Sequence, residues 1–192
     1  GRQLVSLLGQ RHEVIAFDHA SLDVSQPAAI ETLASAAADL VIHAAAWTDV
    51  DGCARTPERA YLVNALGTRN VCLACQQSGA TLLYVSTNEV FDGTATTPYV
   101  EFADPRPVNA YGRSKLAGEE FVRSLLTRWY IVRTAWVFGP GGSNFVTKIL
   151  DRARTAGRLQ VVTDEISAPT HARDLATAIG QLIETGMYGT YH

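Results

Sequence analysis

Short apolar runs alternate with amphipathic stretches along the whole chain, and this order restricts the fold more than any other feature. A short apolar run bounded by turn-forming residues fits a strand buried on both faces, whereas apolar residues three and four apart fit a helix with one buried side. The opening "GRQLVSLLGQ" is a helix by this test, with Leu4, Leu7 and Leu8 on one face. "HEVIAFD" then reads as a buried strand ending at Asp18, and "SQPAAIETLASAAAD" as a helix capped by Ser25 with a proline in its first turn. "LVIHAAA" is the next strand. A long helix opens at Thr56 with Pro57 behind it and closes near Gly79. "TLLYVST" is a strand, and "YGRSKLAGEEFVRSLL" a helix with Leu116, Phe121, Val122 and Leu125 inward. "WYIVRTAWVFG" is a strand, followed by helix "SNFVTKILDRARTAG", strand "LQVVTDEI" and helix "HARDLATAIGQLIETG".

Alternation of this kind predicts an α/β fold with a doubly wound parallel sheet, Rossmann-like, linked by right-handed crossovers. Its ligand crevice lies at the carboxyl ends of the strands. Asp18, "HAAAWTD" and "STNEVFDG" all fall at such ends. The chain opens on Gly1 rather than Met and closes on "GTYH", where another strand starts, so it reads as a piece lacking its N-terminal strand. Residues 1–140 are expected to form the dinucleotide-binding core, and residues 141–192 part of a smaller C-terminal substrate-binding region.

Composition narrows the partners. A net charge of −3 and a pI near 5.9, with no basic run, argue against nucleic acid or an anionic membrane surface. No apolar stretch approaches the roughly 20 residues of a bilayer span, and no secretory leader opens the chain. A soluble, cytoplasmic protein acting on a small molecule is expected. Cys53, Cys72 and Cys75 are too few and too oddly spaced for a disulfide framework, and the C-x-x-C falls inside a helical pattern, so small buried thiols are expected and no metal site.

One spacing carries chemistry. Tyr111 and Lys115 lie four residues apart at a helix start, hence on one face. Of 16 basic residues only Lys115 and Lys148 are lysines, so a lysine has been kept here in a chain that otherwise uses arginine. A compact ammonium can be placed beneath a phenol, and it would pull the tyrosine's pKa down from about 10 towards the working range. His43 has no visible acid or nucleophile partner, and His171 lies near a helix start; both read as structural.

The strings "GRQL", "HAAAWTDVDGCA", "VSTNEVFDG", "YGRSKLAGE", "RTAWVFGPG" and "SAPTHARDLA" together resemble the extended short-chain dehydrogenase/reductases, and most closely the dTDP-4-dehydrorhamnose reductase family. That resemblance implies reduction of the 4-keto group of dTDP-4-dehydro-L-rhamnose by NADPH or NADH. It implies Tyr111 as proton donor, Lys115 as its tuner and Thr87 as hydrogen-bond donor to the substrate carbonyl. Cofactor contacts would come from Gly1, Arg2, Asp18, Asp23, Val24, Ala44, Ala45 and Ala46 besides Tyr111 and Lys115, and substrate contacts from Thr87, Asn88, Glu89 and Trp136. Asp18 suits the ribose hydroxyls of NADH, or a plain strand-end turn, and Trp136 suits a sugar or a core. A homodimer is compatible with these features.

The chain departs from the family at Asn88 and Glu89, where Asp and Tyr are commoner. Glu89 is similar to the base of sugar-nucleotide 4,6-dehydratases, but Asn88 has no dissociable proton to serve as their acid. A non-catalytic relative, the regulatory subunit of methionine adenosyltransferase, is a further alternative, against which stand Thr87, Tyr111 and Lys115.

Overall fold

The computed structural model describes residues 1–140, 144–161 and 166–192. In chain order the elements are α1 (Arg2–Leu8), α2 (Ala28–Ser35), β1 (Leu40–His43), α3 (Val50–Arg55), α4 (Pro57–Ala60), a π-helical turn (Tyr61–Leu66) and α5 (Gly67–Ser78). They continue with β2 (Thr81–Thr87), a 3₁₀ turn (Asn88–Val90), α6 (Ala110–Leu125), β3 (Trp129–Thr134), β4 (Val137–Phe138), α7 (Phe145–Ala156), β5 (Thr170–His171), α8 (Ala172–Ile183) and β6 (Gly189–Tyr191).

Contacts divide these elements into two compact units. The first comprises Gly1, Ile15–Arg133 and Tyr188–His192. Its sheet has the order β1-β2-β3-β6, with β1 parallel to β2 and β3 parallel to β6, as expected of strands linked through helices. His43 lies opposite Tyr84 and Val132 opposite Tyr191. The core joins Val24 and Leu33 to Val71, Cys72 and Cys75 of α5, Leu82 and Tyr84 of β2, Val122 of α6 and Ile131 of β3. The C-x-x-C is thus part of the packing, as expected, and burial pushes both thiols up to about 12. The second unit comprises Arg2–Val14 and Thr134–Met187. In it α1 packs on α8, where Gly180 leaves room for Leu7 and Leu8, and β4 pairs parallel with β5.

Several expected elements differ. Residues 12–18 form no strand: among the described residues none pairs with them, so their backbone groups have no ladder, and Ile15 and Phe17 are exposed. The helix expected from Ser25 begins three residues later: Ser25 donates its N–H and hydroxyl to Asp23 Oδ1, at 3.0 and 2.7 Å, in a local turn that competes with helix. The strand expected over 40–46 ends at His43, before the three alanines. The strand expected over 129–139 breaks in two at Trp136, whose φ of +43° is left-handed and cannot continue a ladder. The helix expected over 56–79 runs through a π turn and ends at Gly79 in the left-handed region, and α3 before it carries no signature that sets it apart from a loop. Of the strand expected over 159–166, residues 162–165 lie outside the described residues, and the rest are not strand.

Candidate active site

Strand β2 and helix α6 build the site between them. The strand ends at Thr87, whose hydroxyl accepts from Glu89 N at 3.2 Å and so starts the 3₁₀ turn. Helix α6 starts at Asn109, an N-cap in extended conformation whose side-chain oxygen accepts from Gly112 N at 2.7 Å. Two contacts then lock the helix start to the strand end. Glu89 Oε2 accepts from Asn109 Nδ2 at 2.7 Å, and a Cβ on Gly112 would collide with the Glu89 carbonyl oxygen. Only glycine lets the first turn of α6 lie this close.

This docking brings the Tyr111 phenol near enough to Thr87 for that hydroxyl to act on its pKa, while the Thr87 hydroxyl donates to Asn88 Oδ1 at 3.3 Å. One turn along, Lys115 Nζ donates to Val85 O at 2.8 Å and lies 4.0 Å from the centre of the Tyr84 ring. Lys115 is only 2% exposed. Burial draws its pKa down to about 7, against which the Glu119 carboxylate pulls upward. Burial also raises Tyr111, to about 12, with the Thr87 hydrogen bond acting the other way and Cys53 and Glu89 adding to the rise. In the protein itself, desolvation of the phenol therefore outweighs its favourable neighbours, a net rise where a lowering was expected from the ammonium together with the oxidised nicotinamide.

Behind the pair lies a polar brace that the sequence did not disclose. Asn64, in the π turn, accepts from Trp47 N at 2.7 Å and donates to Trp47 O and Ser114 Oγ, both at 3.0 Å. Ser114 in turn donates to the Tyr111 carbonyl at 2.7 Å. A π turn often marks a functional position, and here it aims a buried amide at the helix that carries the tyrosine. Nothing in the sequence pattern distinguishes Asn64 from other helical asparagines. Asn109, by contrast, had a readable signal, an N-cap residue three places before a helical glycine.

Deeper still, Glu119 is fully buried and accepts from Ser86 Oγ (2.6 Å), Arg133 Nε (2.9 Å), Arg133 Nη2 (2.7 Å) and Arg123 Nη2 (2.8 Å). Burial would raise its pKa, but the hydrogen bonds and charge of Arg133, with Ser86 and Arg123, hold it below the usual carboxylate value. His43 is buried against Thr68 at 3.1 Å and stacked on Tyr84, and burial, with Lys115, holds it neutral with a pKa of about 3. His171 caps α8.

The other expected site residues are distributed as follows. Ala44 and Ala45 are exposed and Ala46 half-buried directly beyond β1. Asp18 is exposed, and its Oδ1 accepts from the backbone and hydroxyl of Ser21, both at 2.9 Å, which lowers its pKa. Asp23 is held likewise by Ser25, and Val24 packs into the core. Glu89 also accepts from Asn88 Nδ2 at 3.3 Å, so both its oxygens have partners. Arg2 and Trp136 belong to the second unit, where the Trp136 ring centre is 5.0 Å from that of Phe145. Gly1 is exposed.

A parallel sheet with a Tyr-x-x-x-Lys helix docked at the strand end that carries Thr87 defines a Rossmann-like α/β protein with the layout of a short-chain reductase. The family model described as "RmlD substrate binding domain" matches residues 1–192, and the chain belongs to that family. The spore coat polysaccharide biosynthesis protein SpsK of Bacillus subtilis is 37% identical over 94% of this chain, and the dTDP-4-dehydrorhamnose reductase of Mycolicibacterium smegmatis is 39% identical over 92%. The chain spans 64% and 54% of the lengths of these two relatives. The crystal structure of dTDP-4-dehydrorhamnose reductase from Bacillus anthracis in complex with NADP superposes with a TM-score of 0.94 at 40% identity, over 100% of this chain and 69% of that one.

Proposed function

We propose that the protein containing this chain reduces the 4-keto group of dTDP-4-dehydro-L-rhamnose to give dTDP-L-rhamnose, using NADPH or NADH. The observation that carries this reading is the nearness of Tyr111 to Thr87 at the end of β2, with a buried Lys115 one helical turn along. Relatives named for that reaction, and a similar structure holding NADP, support it.

The residues present fit a dinucleotide. The exposed alanines beyond β1 leave backbone open to close approach, and the ionised Asp18 offers a carboxylate to ribose hydroxyls. When bound, the reduced nicotinamide supplies the hydride that the carbonyl carbon receives. Thr87 donates a hydrogen bond to the carbonyl oxygen and stabilises the charge developing there. Tyr111 gives its proton to that oxygen, and the alcohol results. Lys115 contributes a positive charge one turn below, which favours the tyrosinate that proton transfer leaves behind. Asn88 and Glu89 follow Thr87 directly in the 3₁₀ turn and are the residues that would meet the sugar. Elimination of the dehydratase kind finds no acid at position 88, since the Asn88 amide has no dissociable proton. The reaction belongs to the cytoplasm, with the nucleotide-sugar as the partner. Among the described residues, no helix is long and apolar enough to cross a membrane.

The test is to supply the full-length protein with dTDP-4-dehydro-L-rhamnose and follow NADPH and NADH consumption separately. Turnover that falls by about 10²–10⁴ in Tyr111→Phe is expected. Turnover retained in that variant rules the mechanism out.

A further inference from the structure

Tyr84 touches Lys115 at both ends. Its hydroxyl donates to the Lys115 main-chain carbonyl at 3.3 Å, and its ring face lies 4.0 Å beneath the ammonium. Both side chains are buried, Tyr84 completely. Helix α6 is shaped for this contact: a Cβ on Gly118, three residues after Lys115, would run into the Tyr84 hydroxyl and come within 3.0 Å of Cζ. Any other residue there would push the hydroxyl off the helix.

The surroundings leave the ring as the main seat for the charge. Of the elements packed around the amine, β1 presents His43, which is neutral. Strand β2 presents Tyr84, whose phenol burial holds protonated. Helix α6 presents Tyr111 and Glu119, and Glu119 is already bound to Arg133 of β3 and to Arg123. Among the described residues no carboxylate lies within ion-pair distance of Lys115 Nζ. A buried ammonium with one carbonyl acceptor and no anionic partner is costly unless something else offsets its desolvation, and an aromatic face does so.

We propose that Tyr84 is the positioning residue of Lys115, with the hydroxyl fixing the helix turn and the ring seating the ammonium so that it can carry its charge inside the protein. The use made of that charge rests on the reductase reading above, but the seat does not.

Lysine carrying an isotopic label at Cε lets the Lys115 amine be titrated by NMR in the full-length protein, its signal assigned by its loss in Lys115→Arg. A midpoint near 7 is expected in the unaltered protein. Tyr84→Phe keeps the ring and holds the midpoint within about 0.3 unit, because the two ring faces attract a cation alike. Tyr84→Leu lowers it by roughly one unit, the shift to which a desolvated cation–π contact converts. Phenylalanines of increasing ring fluorination at position 84 keep the shape and weaken the π face, so the midpoint should fall stepwise, and this series decides the matter if the leucine variant does not fold. A flat response across the fluorinated series, or a fall in Tyr84→Phe as large as in Tyr84→Leu, overturns the proposal. Because the titration needs no turnover, a protein that fails to reduce the nucleotide-sugar leaves this result standing on its own.

Discussion

The Glu119 cluster is sensitive to a single substitution, and the cost can be worked from its contacts. Glu119→Leu leaves Arg133, 5% exposed, without its carboxylate, and breaking a buried pair from one side costs about 3–5 kcal/mol. Arg123 adds little. Its side chain is 34% exposed, and a pair four residues apart on a helix surface is worth about 0.3–0.5 kcal/mol. A loss of about 4 kcal/mol is therefore expected. For a chain of this length each kcal/mol moves the melting temperature by about 2–4 °C, so the fall should be roughly 8–16 °C. The double variant Glu119→Leu, Arg133→Met removes both charges and keeps an elongated apolar chain beside Phe91, whose ring centre lies 5.0 Å from the guanidinium. It should recover most of the loss, because it leaves no stranded charge.

Urea denaturation of the two single variants and the double measures the coupling directly. The acid limb gives a second reading. Glu119 has its pKa lowered in the folded state from 4.5, so its stabilisation is complete above pH 4.5 and drains away as pH falls through the lower folded value. The unaltered protein should lose stability across that range more steeply than Glu119→Gln. A single variant that costs under about 1 kcal/mol, or a double variant that loses the sum of the two singles, refutes the reasoning.

Three further outcomes are expected. His43, held near 3 against an ordinary 6.5, binds its proton only in the unfolded chain, so stability should drop by about 2 kcal/mol between neutrality and pH 5, and His43→Gln should flatten that slope in denaturation curves. Gly112→Ala drives a methyl into the Glu89 carbonyl and within 3.0 Å of Pro107, neither of which can rotate aside; a cost of about 1–3 kcal/mol and a fall in kcat of about 10², with nucleotide binding preserved, are expected from melting and kinetics. Glu89→Ala frees Asn109 and should cost about 1 kcal/mol and slow turnover, while Glu89→Gln, still able to accept from Asn109 Nδ2, should stay near the unaltered protein in both assays.

Periodicity made the helices and the paired strands legible, because burial on one face or both leaves a pattern in the residues themselves. It failed at residues 12–18, where an apolar run describes a strand's side chains but cannot say whether another strand lies beside it. It failed again at "RTAWVFG", where the break depends on one backbone angle at Trp136 that tryptophan does not advertise. Tyr111, Lys115 and Thr87 were legible because their spacing and segment ends place them at one sheet edge, and the structure brings them together there. Tyr84, Asn64 and Glu119 were not, since a buried tyrosine, amide or carboxylate reads as core or surface until its partner, 31, 50 or 14 residues away, is brought to it.

The direction in which burial moves Tyr111 bears on the direction of the proposed reaction. A phenol held near 12 keeps its proton at neutral pH, as a residue must if its task is to donate one. Oxidation of an alcohol would require the same group to arrive as tyrosinate, and in this protein desolvation opposes that state. Lys115, titrating near 7, is the group whose charge varies across the physiological range, so it rather than Tyr111 should set the pH dependence of turnover. On the proposed mechanism its charge favours the tyrosinate formed as the proton leaves. The rate of reduction should therefore fall as pH rises through about 7 while Tyr111 remains loaded with its proton. A rate limb that instead follows a group near 12, with none near 7, would mean that the ammonium plays no part in releasing the phenol's proton.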